Sequence, residues 1–287
     1  MVYMRVIKRR KGRKFYFYLQ YSFRENGKVI TRERYLGLGL SKNIDKIKEE
    51  IEKEQRSRIY SKLEKIRENF QKEWRKIPES AKERDLEEIA IAFTYNTNAI
   101  EGSTITLAET REIIKDKVAP KKSLSDIKET ESHYRIFLKM LSKKEKVTKE
   151  LLLRWHKEIF GETKPDIAGI FRNYFIRVGP YAAPDWQDIE QLMDKLITFT
   201  AKSKFNPTEF AARAHFRFEK IHPFGDGNGR IGRLLMNHIL WHSGYPMLII
   251  EYKKRKSYYK ALEKDEEYFV RYFIRKYLSV HKKRLGP

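Results

Sequence analysis

The sequence predicts an all-α fold that carries a short β-hairpin and follows a small antiparallel β module and one long helix. Three observations predict it. Through residues 81–287, apolar side chains recur at steps of three and four, the spacing of one helix face. Residues 44–77 hold one apolar seam with the same spacing and charges on the other faces. Residues 1–40 alternate with period two, as strands do. The expected organisation is a basic hairpin module (1–40), a connector helix (41–80) and a large helical domain (81–287).

In the first module Phe15, Phe17 and Leu19 alternate with Tyr16, Tyr18 and Gln20. Asn26-Gly27 suits a tight hairpin turn, because both residues tolerate positive φ. Val29-Ile30-Thr31 and Tyr35-Leu36 continue a sheet of three strands that ends at Gly37-Leu38-Gly39. The connector seam runs Ile44, Ile47, Ile51, Ile59, Leu63, Ile66, Phe70, Trp74, Ile77, with a polar gap near Gln55, and Pro78 closes it. At 1.5 Å per residue it spans about 50 Å, as a helix lying on the next domain or as a dimer stalk. Beyond it, Leu86, Ile89, Ala90 and Phe93 form one face, Ile136, Phe137, Met140 and Leu141 a second, and Leu151, Leu152, Trp155 and Ile159 a third. Residues 169–184 read as a short hairpin, with Gly179-Pro180 as its punctuation. Phe210, Ala214, Phe218 and Ile221 line one further helix, and Leu234, Leu235, Ile239 and Leu240 the next. An aromatic amphipathic helix through Tyr268, Phe269, Tyr272, Phe273 and Tyr277 closes the chain.

The chain has 287 residues, enough for a sizeable core, with 40% hydrophobic and 35% charged residues. No apolar run reaches the roughly 20 residues of a membrane span, and the N-terminus lacks a secretory apolar region. Cysteine is absent, which excludes disulfides and thiolate metal sites and fits a reducing, cytoplasmic setting. The formal charge is +23, from 62 basic and 39 acidic residues. The abundance of both signs suits a thermophile surface. The basic excess suits an anionic partner, either nucleic acid or a nucleotide. Residues 1–40 carry eleven Lys or Arg against two Asp or Glu. That basic aromatic hairpin is compatible with nucleic acid, although a packing or oligomerisation module is the favoured reading.

The chemistry concentrates in Ile221-His222-Pro223-Phe224-Gly225-Asp226-Gly227-Asn228-Gly229-Arg230-Ile231-Gly232-Arg233. Its glycines let the backbone approach a ligand closely. The loop runs into the start of a helix, where free N–H groups and the helix dipole favour an anion. Arg230 and Arg233 lie three apart and reach the same side, which suits a di- or triphosphate. Asp226, an acid in a positive loop, makes sense as the holder of a divalent cation on the phosphates. His222 has the ordinary pKa range of a general base at neutral pH. The set describes phosphoryl or nucleotidyl transfer.

His222 to Arg233 resembles the signature of the Fic family, His-Pro-Phe-x-(Asp/Glu)-Gly-Asn-Gly-Arg-x-x-Arg, at every specified position. The resemblance spans roughly residues 81–280. It implies an all-helical enzyme that transfers AMP from ATP to a Ser, Thr or Tyr hydroxyl of a target protein. It implies that His222 deprotonates that hydroxyl and that Asp226 holds Mg²⁺ (or Mn²⁺). Phe224, Gly225, Gly227, Asn228 and Gly229 would line the phosphate site, with Arg230 and Arg233 on the outer phosphates. Thr97-Asn98-Ala99-Ile100-Glu101-Gly102 resembles the family's inhibitory motif, (Ser/Thr)-x-x-x-Glu-(Gly/Asn). That places an inhibitory helix around 83–101, with Glu101 pairing with Arg233 and displacing the γ-phosphate. The 169–184 hairpin falls where the family carries a flap that pairs with an extended target segment. Arg172 and Val178 are the candidate flap contacts. Tyr258 and Tyr259 stand equally as adenine contacts and as core tyrosines.

Rival readings follow from the same motifs: the reverse hydrolysis of AMP from a modified protein, with Glu101 positioning water, and transfer of another nucleotide. Self-modification and a homodimer through the 44–77 seam are further expectations. His238 and His242 have a zinc-compatible spacing but no acid between them, so packing roles are expected. His215 and Glu219 are expected to make a helix-face contact.

Overall fold

The computed structural model describes residues 3–25, 28–39, 43–179 and 181–286. The chain divides into two compact units, residues 1–65 and 66–287, so the boundary falls inside the connector helix rather than at its ends.

The first unit begins with a three-stranded antiparallel sheet, β1 (Tyr3–Lys11), β2 (Lys14–Glu25) and β3 (Lys28–Gly37), in sequential order. The period-two alternation holds. Val6 and Arg34 both oppose Leu19, and Leu19 is fully buried. Leu19 packs with Ile51, Met4, Tyr21, Leu36 and Ile47, so one sheet face is closed by α1 (Ile44–Lys76). The Asn26-Gly27 turn, and residues 41–42 before α1, lie outside the described residues.

Pro78 does break the helix. It lacks an N–H and cannot continue the ladder, and it stands as the N-cap of α2 (Glu79–Ile100). In the second unit, Phe70 and Trp74 of α1 pack on Trp241, with ring centroids at 6.1 and 5.6 Å. The seam is thus covered within the chain in both units: at Ile47 and Ile51 by the sheet, and at Phe70 and Trp74 by Trp241.

The second unit continues with α3 (Leu107–Arg111), a π-helical turn (Glu112–Asp116), α4 (Leu124–Ser142) and α5 (Lys149–Phe160). A two-stranded hairpin follows, β4 (Arg177–Val178) with β5 (Tyr181–Ala182); Pro180 between them lies outside the described residues. Then come α6 (Ile189–Lys202), α7 (Pro207–Ile221), α8 (Asn228–His242), α9 (Arg255–Leu262) and α10 (Glu266–Val280). Side-chain oxygens of Thr106, Ser123, Thr148, Asn206 and Asp265 cap their helices, satisfying N–H groups that have no intrahelical partner. α8 is buried on every side from Asn228 to Leu240 and packs against α2, α4, α5 and α7. A helix enclosed this way is a core helix. No helix among the described residues is long and apolar enough to cross a membrane.

Candidate active site

α7 ends at His222, whose left-handed backbone (φ 50°, ψ 61°) reverses the chain into the glycine loop. Gly227, at φ 76°, begins α8 without any side-chain cap. The first intrahelical bond is from Ile231 N–H to the Gly227 carbonyl, so the N–H groups of the first turn remain available to an anion. A Cβ on Gly227 would stand 2.4 Å from the Phe160 ring, so this loop seats only glycine there.

The loop is fixed from beneath. Phe224 is fully buried and stacks on His156 at 3.9 Å. The Asn228 side chain holds the Phe224 backbone at both ends, accepting from its N–H at 2.9 Å and donating to its carbonyl at 2.8 Å. Phe224 and the Asn228 side chain thus anchor the loop through these bonds. His156 accepts from Gly169 N–H at Nδ1 (2.9 Å), so its Nε2 carries the proton and donates to the Asp226 carbonyl (3.0 Å). Burial lowers its pKa to about 4 and keeps this tautomer neutral.

His222 faces the loop with Nδ1 3.3 Å from the Glu219 carbonyl. Donation from Nδ1–H leaves Nε2 as the basic nitrogen. Burial pushes its pKa below the ordinary range, which outweighs the help of the Glu219 carbonyl and of the Glu101 charge. The imidazole is thus an unprotonated base at neutral pH.

The two arginines of the motif part company. Arg230 lies over the Phe160 ring, at 4.3 Å, and pairs with the buried Glu129 of α4. Lys164 bridges Glu129 and Asp226, at 2.8 and 2.7 Å. Burial pushes both carboxyls up, yet the neighbouring Arg230 and Lys164 outweigh it and hold them below the usual range. Asp226 also accepts from Gly227 N–H, and its side chain is 44% exposed. A single half-exposed carboxylate fits an Mg²⁺ ion that draws its other ligands from phosphate and water. No cluster of three or more acidic, histidine or cysteine ligands occurs among the described residues.

Arg233 is 1% exposed. Its Nε donates to Thr97 Oγ1 at 2.7 Å, and its Nη2 to the Thr97 carbonyl at 3.2 Å and to Glu101 Oε1 at 2.6 Å. Burial opposes the charge, and the Glu101 carboxylate more than restores it. Glu101 caps α2, and its Oε1 would stand 2.2 Å from a Cβ on Gly229. The glutamate therefore sits on Arg233 and against the first turn of α8 at once. The pairing expected between α2 and Arg233 is present. Gly102 follows in a left-handed conformation (φ 100°) that suits glycine.

Tyr258 is 1% exposed, and its hydroxyl lies 2.8 Å from His215 Nε2. It is a core residue, so the adenine reading is set aside for it. Tyr259 is 40% exposed and donates to the Ile100 carbonyl at 3.1 Å, tying α9 to the end of α2. Arg172 is also buried. It donates to the carbonyls of His222, Tyr174 and Pro184, so it staples the flap to the motif and makes no open flap contact. Val178 remains exposed on the flap edge.

His215 and Glu219 lie 3.9 Å apart, beyond a hydrogen bond. Burial drives the histidine to about 3 and the glutamate to about 8, so both are neutral near pH 7 and form no ion pair. His238 and His242 bond the carbonyls of Glu145 and Met140. Glu129, His156 and Lys164 escaped the sequence reading. Their partners lie 101, 70 and 62 residues away, and no local pattern marks them.

A sequence profile of the Fic/DOC family matches residues 146–240. The chain is 34% identical over 200 residues to the protein adenylyltransferase Fic of Nematostella vectensis, covering 67% of this chain and 47% of that protein. It is 36% identical over 193 residues to the protein adenylyltransferase Fic of Drosophila ananassae, covering 63% and 38%. The chain thus spans less than half the length of these curated relatives. Its fold is similar to Fic-1 (residues 134–508) of C. elegans, with TM-score 0.67 and 28% identity over 80% of this chain and 71% of that one. It is similar also to a Fic domain containing signaling protein from Bacteroides thetaiotaomicron, with TM-score 0.65 and 25% identity over 80% of this chain and 98% of that one. With the motif, the loop geometry and the helical core in agreement, the chain carries a domain of the Fic/DOC family.

Proposed function

We propose that this chain transfers AMP from ATP to a hydroxyl of a protein target, and that Glu101 holds the enzyme off. The observation that carries the proposal is the uncapped first turn of α8 beside the unprotonated His222, with the Glu101 carboxylate already lying in the anion position. With ATP bound, the N–H groups of the first α8 turn would cradle its phosphates. Asp226 would hold Mg²⁺, which would spread the charge of the leaving phosphates. His222 Nε2 takes the hydroxyl proton. The hydroxyl oxygen bonds the α-phosphorus as the α–β phosphoanhydride bond breaks, and pyrophosphate leaves. The target segment would add to the exposed edge of the β4–β5 hairpin at Val178. Tyr259 and the flap are the candidate adenine contacts. The absence of cysteine favours a reducing, cytoplasmic setting.

Glu101 opposes this state on two counts. Its carboxylate satisfies the arginine that should meet the γ-phosphate, and it puts a negative charge where the phosphates must lie. One observation favours the reverse reaction as well. Among the described residues only Oε1 of Glu101 is hydrogen-bonded, which leaves Oε2 to orient a water.

Label transfer from ATP carrying a labelled α-phosphate tests the reading. Wild type, Glu101→Gly and Glu101→Gly/His222→Ala are compared with Mg²⁺ and Mn²⁺. Covalent label on Glu101→Gly alone is the expected result. A Glu101→Gly protein that binds no nucleotide with either metal would sink the proposal. Release of AMP from a pre-labelled protein by wild type, lost in Glu101→Gly, would establish the hydrolase.

A further inference from the structure

The basic excess of the chain has a location that the transfer site does not use. Residues 3–23 contain no Asp or Glu, and Lys8, Arg9, Arg10, Lys11, Arg13 and Lys14 crowd the β1–β2 hairpin tip around Gly12 (φ 62°). All six are exposed. Among the described residues, an ion pair takes only Arg9 of these six, at Glu33.

Strand register separates the two faces of the sheet, because directly paired residues point the same way. Leu19 and Tyr21 face the core with α1. The opposite face carries Arg9 beside Tyr16, Ile7 beside Tyr18 beside Tyr35, and Arg5 beside Gln20. The Tyr18 and Tyr35 rings lie 5.3 Å apart, Tyr16 and Tyr35 lie 6.2 Å apart, and the Arg9 guanidinium is 5.2 Å from the Tyr18 ring. Tyr35 is 51% exposed and Tyr3 70%. The Leu19–Tyr21 face already provides the buried core of this unit, so folding alone does not demand tyrosines on the solvent side. A cationic tip running into a tyrosine–arginine face combines the two parts of a single-strand site: charges for the phosphates and rings for the bases.

We propose that the β1–β2–β3 sheet binds single-stranded nucleic acid, with the hairpin-tip cations on the phosphates and Tyr16, Tyr18 and Tyr35 as the stacking platform. This inference is independent of the transfer reading. The sheet carries no group of the candidate active site.

Fluorescence anisotropy of a labelled 20-nucleotide single strand, titrated with the full chain between 50 and 200 mM salt, tests it. Duplex DNA of the same sequence and heparin serve as competitors. The single strand should bind more tightly than either. Arg10→Gln/Lys11→Gln/Arg13→Gln/Lys14→Gln should flatten the slope of log affinity against log salt by about 3, at roughly 0.7 per phosphate contact. Tyr35→Ser should weaken single-strand binding at least about fivefold, and Tyr35→Phe should retain it, because stacking needs the ring and not the hydroxyl. Both tyrosine variants change an exposed residue, and circular dichroism confirms their fold. Duplex or heparin bound as tightly as the single strand overturns the proposal. So does a Tyr35→Ser protein that is folded and binds normally.

Discussion

Arg230 and Arg233 sit three residues apart on one helix turn, and their carboxylate partners differ in where they are held. Arg230 meets Glu129, whose side chain is 7% exposed and which projects from the second turn of a packed helix. Arg233 meets Glu101, which is 26% exposed and ends a helix. A partner on a buried turn of a packed helix moves only if the core opens. A partner at a helix end moves if one turn frays, and such terminal openings take far less free energy than global unfolding. Under the proposed autoinhibition, the same guanidinium–carboxylate chemistry serves as a fixture on one side of α8 and as a latch on the other.

That contrast can be broken experimentally. Its largest consequence is at the latch. Glu101→Gly should raise self-labelling from ATP at least about 100-fold, because small misplacement of reacting groups removes that much rate. Labelling equal to wild type, with nucleotide bound, would refute the latch. On the fixture side, Glu129→Gln removes the charge partner of a buried arginine. It should lower stability by about 3 kcal/mol or more, read by thermal or urea unfolding, without releasing self-labelling. If Glu129→Gln activates the enzyme, the division of roles fails.

A smaller effect is expected from Thr97→Val. It strands Arg233 Nε, whose partner is the Thr97 hydroxyl, at a cost of about 1–3 kcal/mol. Self-labelling should rise, but by less than with Glu101→Gly, since the carboxylate remains. Lys164→Met bears on the fixture side alone. Removing the ammonium beside Asp226 should lower the Mn²⁺ concentration needed for nucleotide binding severalfold, measured by metal titration in the Glu101→Gly background. A higher requirement would mean that Lys164 supports the phosphates instead.

The mildest signature is in pH. Only unprotonated His222 can accept the proton, and burial holds its pKa below 6.5. Activity of Glu101→Gly should therefore stay level between pH 7 and 8 and fall only as the pH drops below 6.5. A fall beginning above pH 7 would place the titrating base elsewhere.

The order of the helices, the three-stranded start and the glycine loop were all legible in the residue pattern. So was the pairing of Glu101 with Arg233, through the resemblance of two short motifs. Other details of the site were not. Tyr258 and Tyr259 are neighbours of one residue type, yet one is sealed against His215 and the other lies half open on α2. Arg172 looked like a flap contact and is a staple between three carbonyls. Arg230 was expected on the outer phosphates, and its pairing with Glu129 was not legible.

The division follows from the range of the forces. Helical and strand periodicity, caps, a proline break and a glycine loop arise from sterics and hydrogen bonds within a few residues, so the sequence by itself determined them. Which carboxylate meets which arginine was decided by packing. α2 and α4 bring Glu101 and Glu129 to α8 from 132 and 101 residues away in the chain, and only the tertiary structure decides that one arrives from a helix end and the other from a buried face.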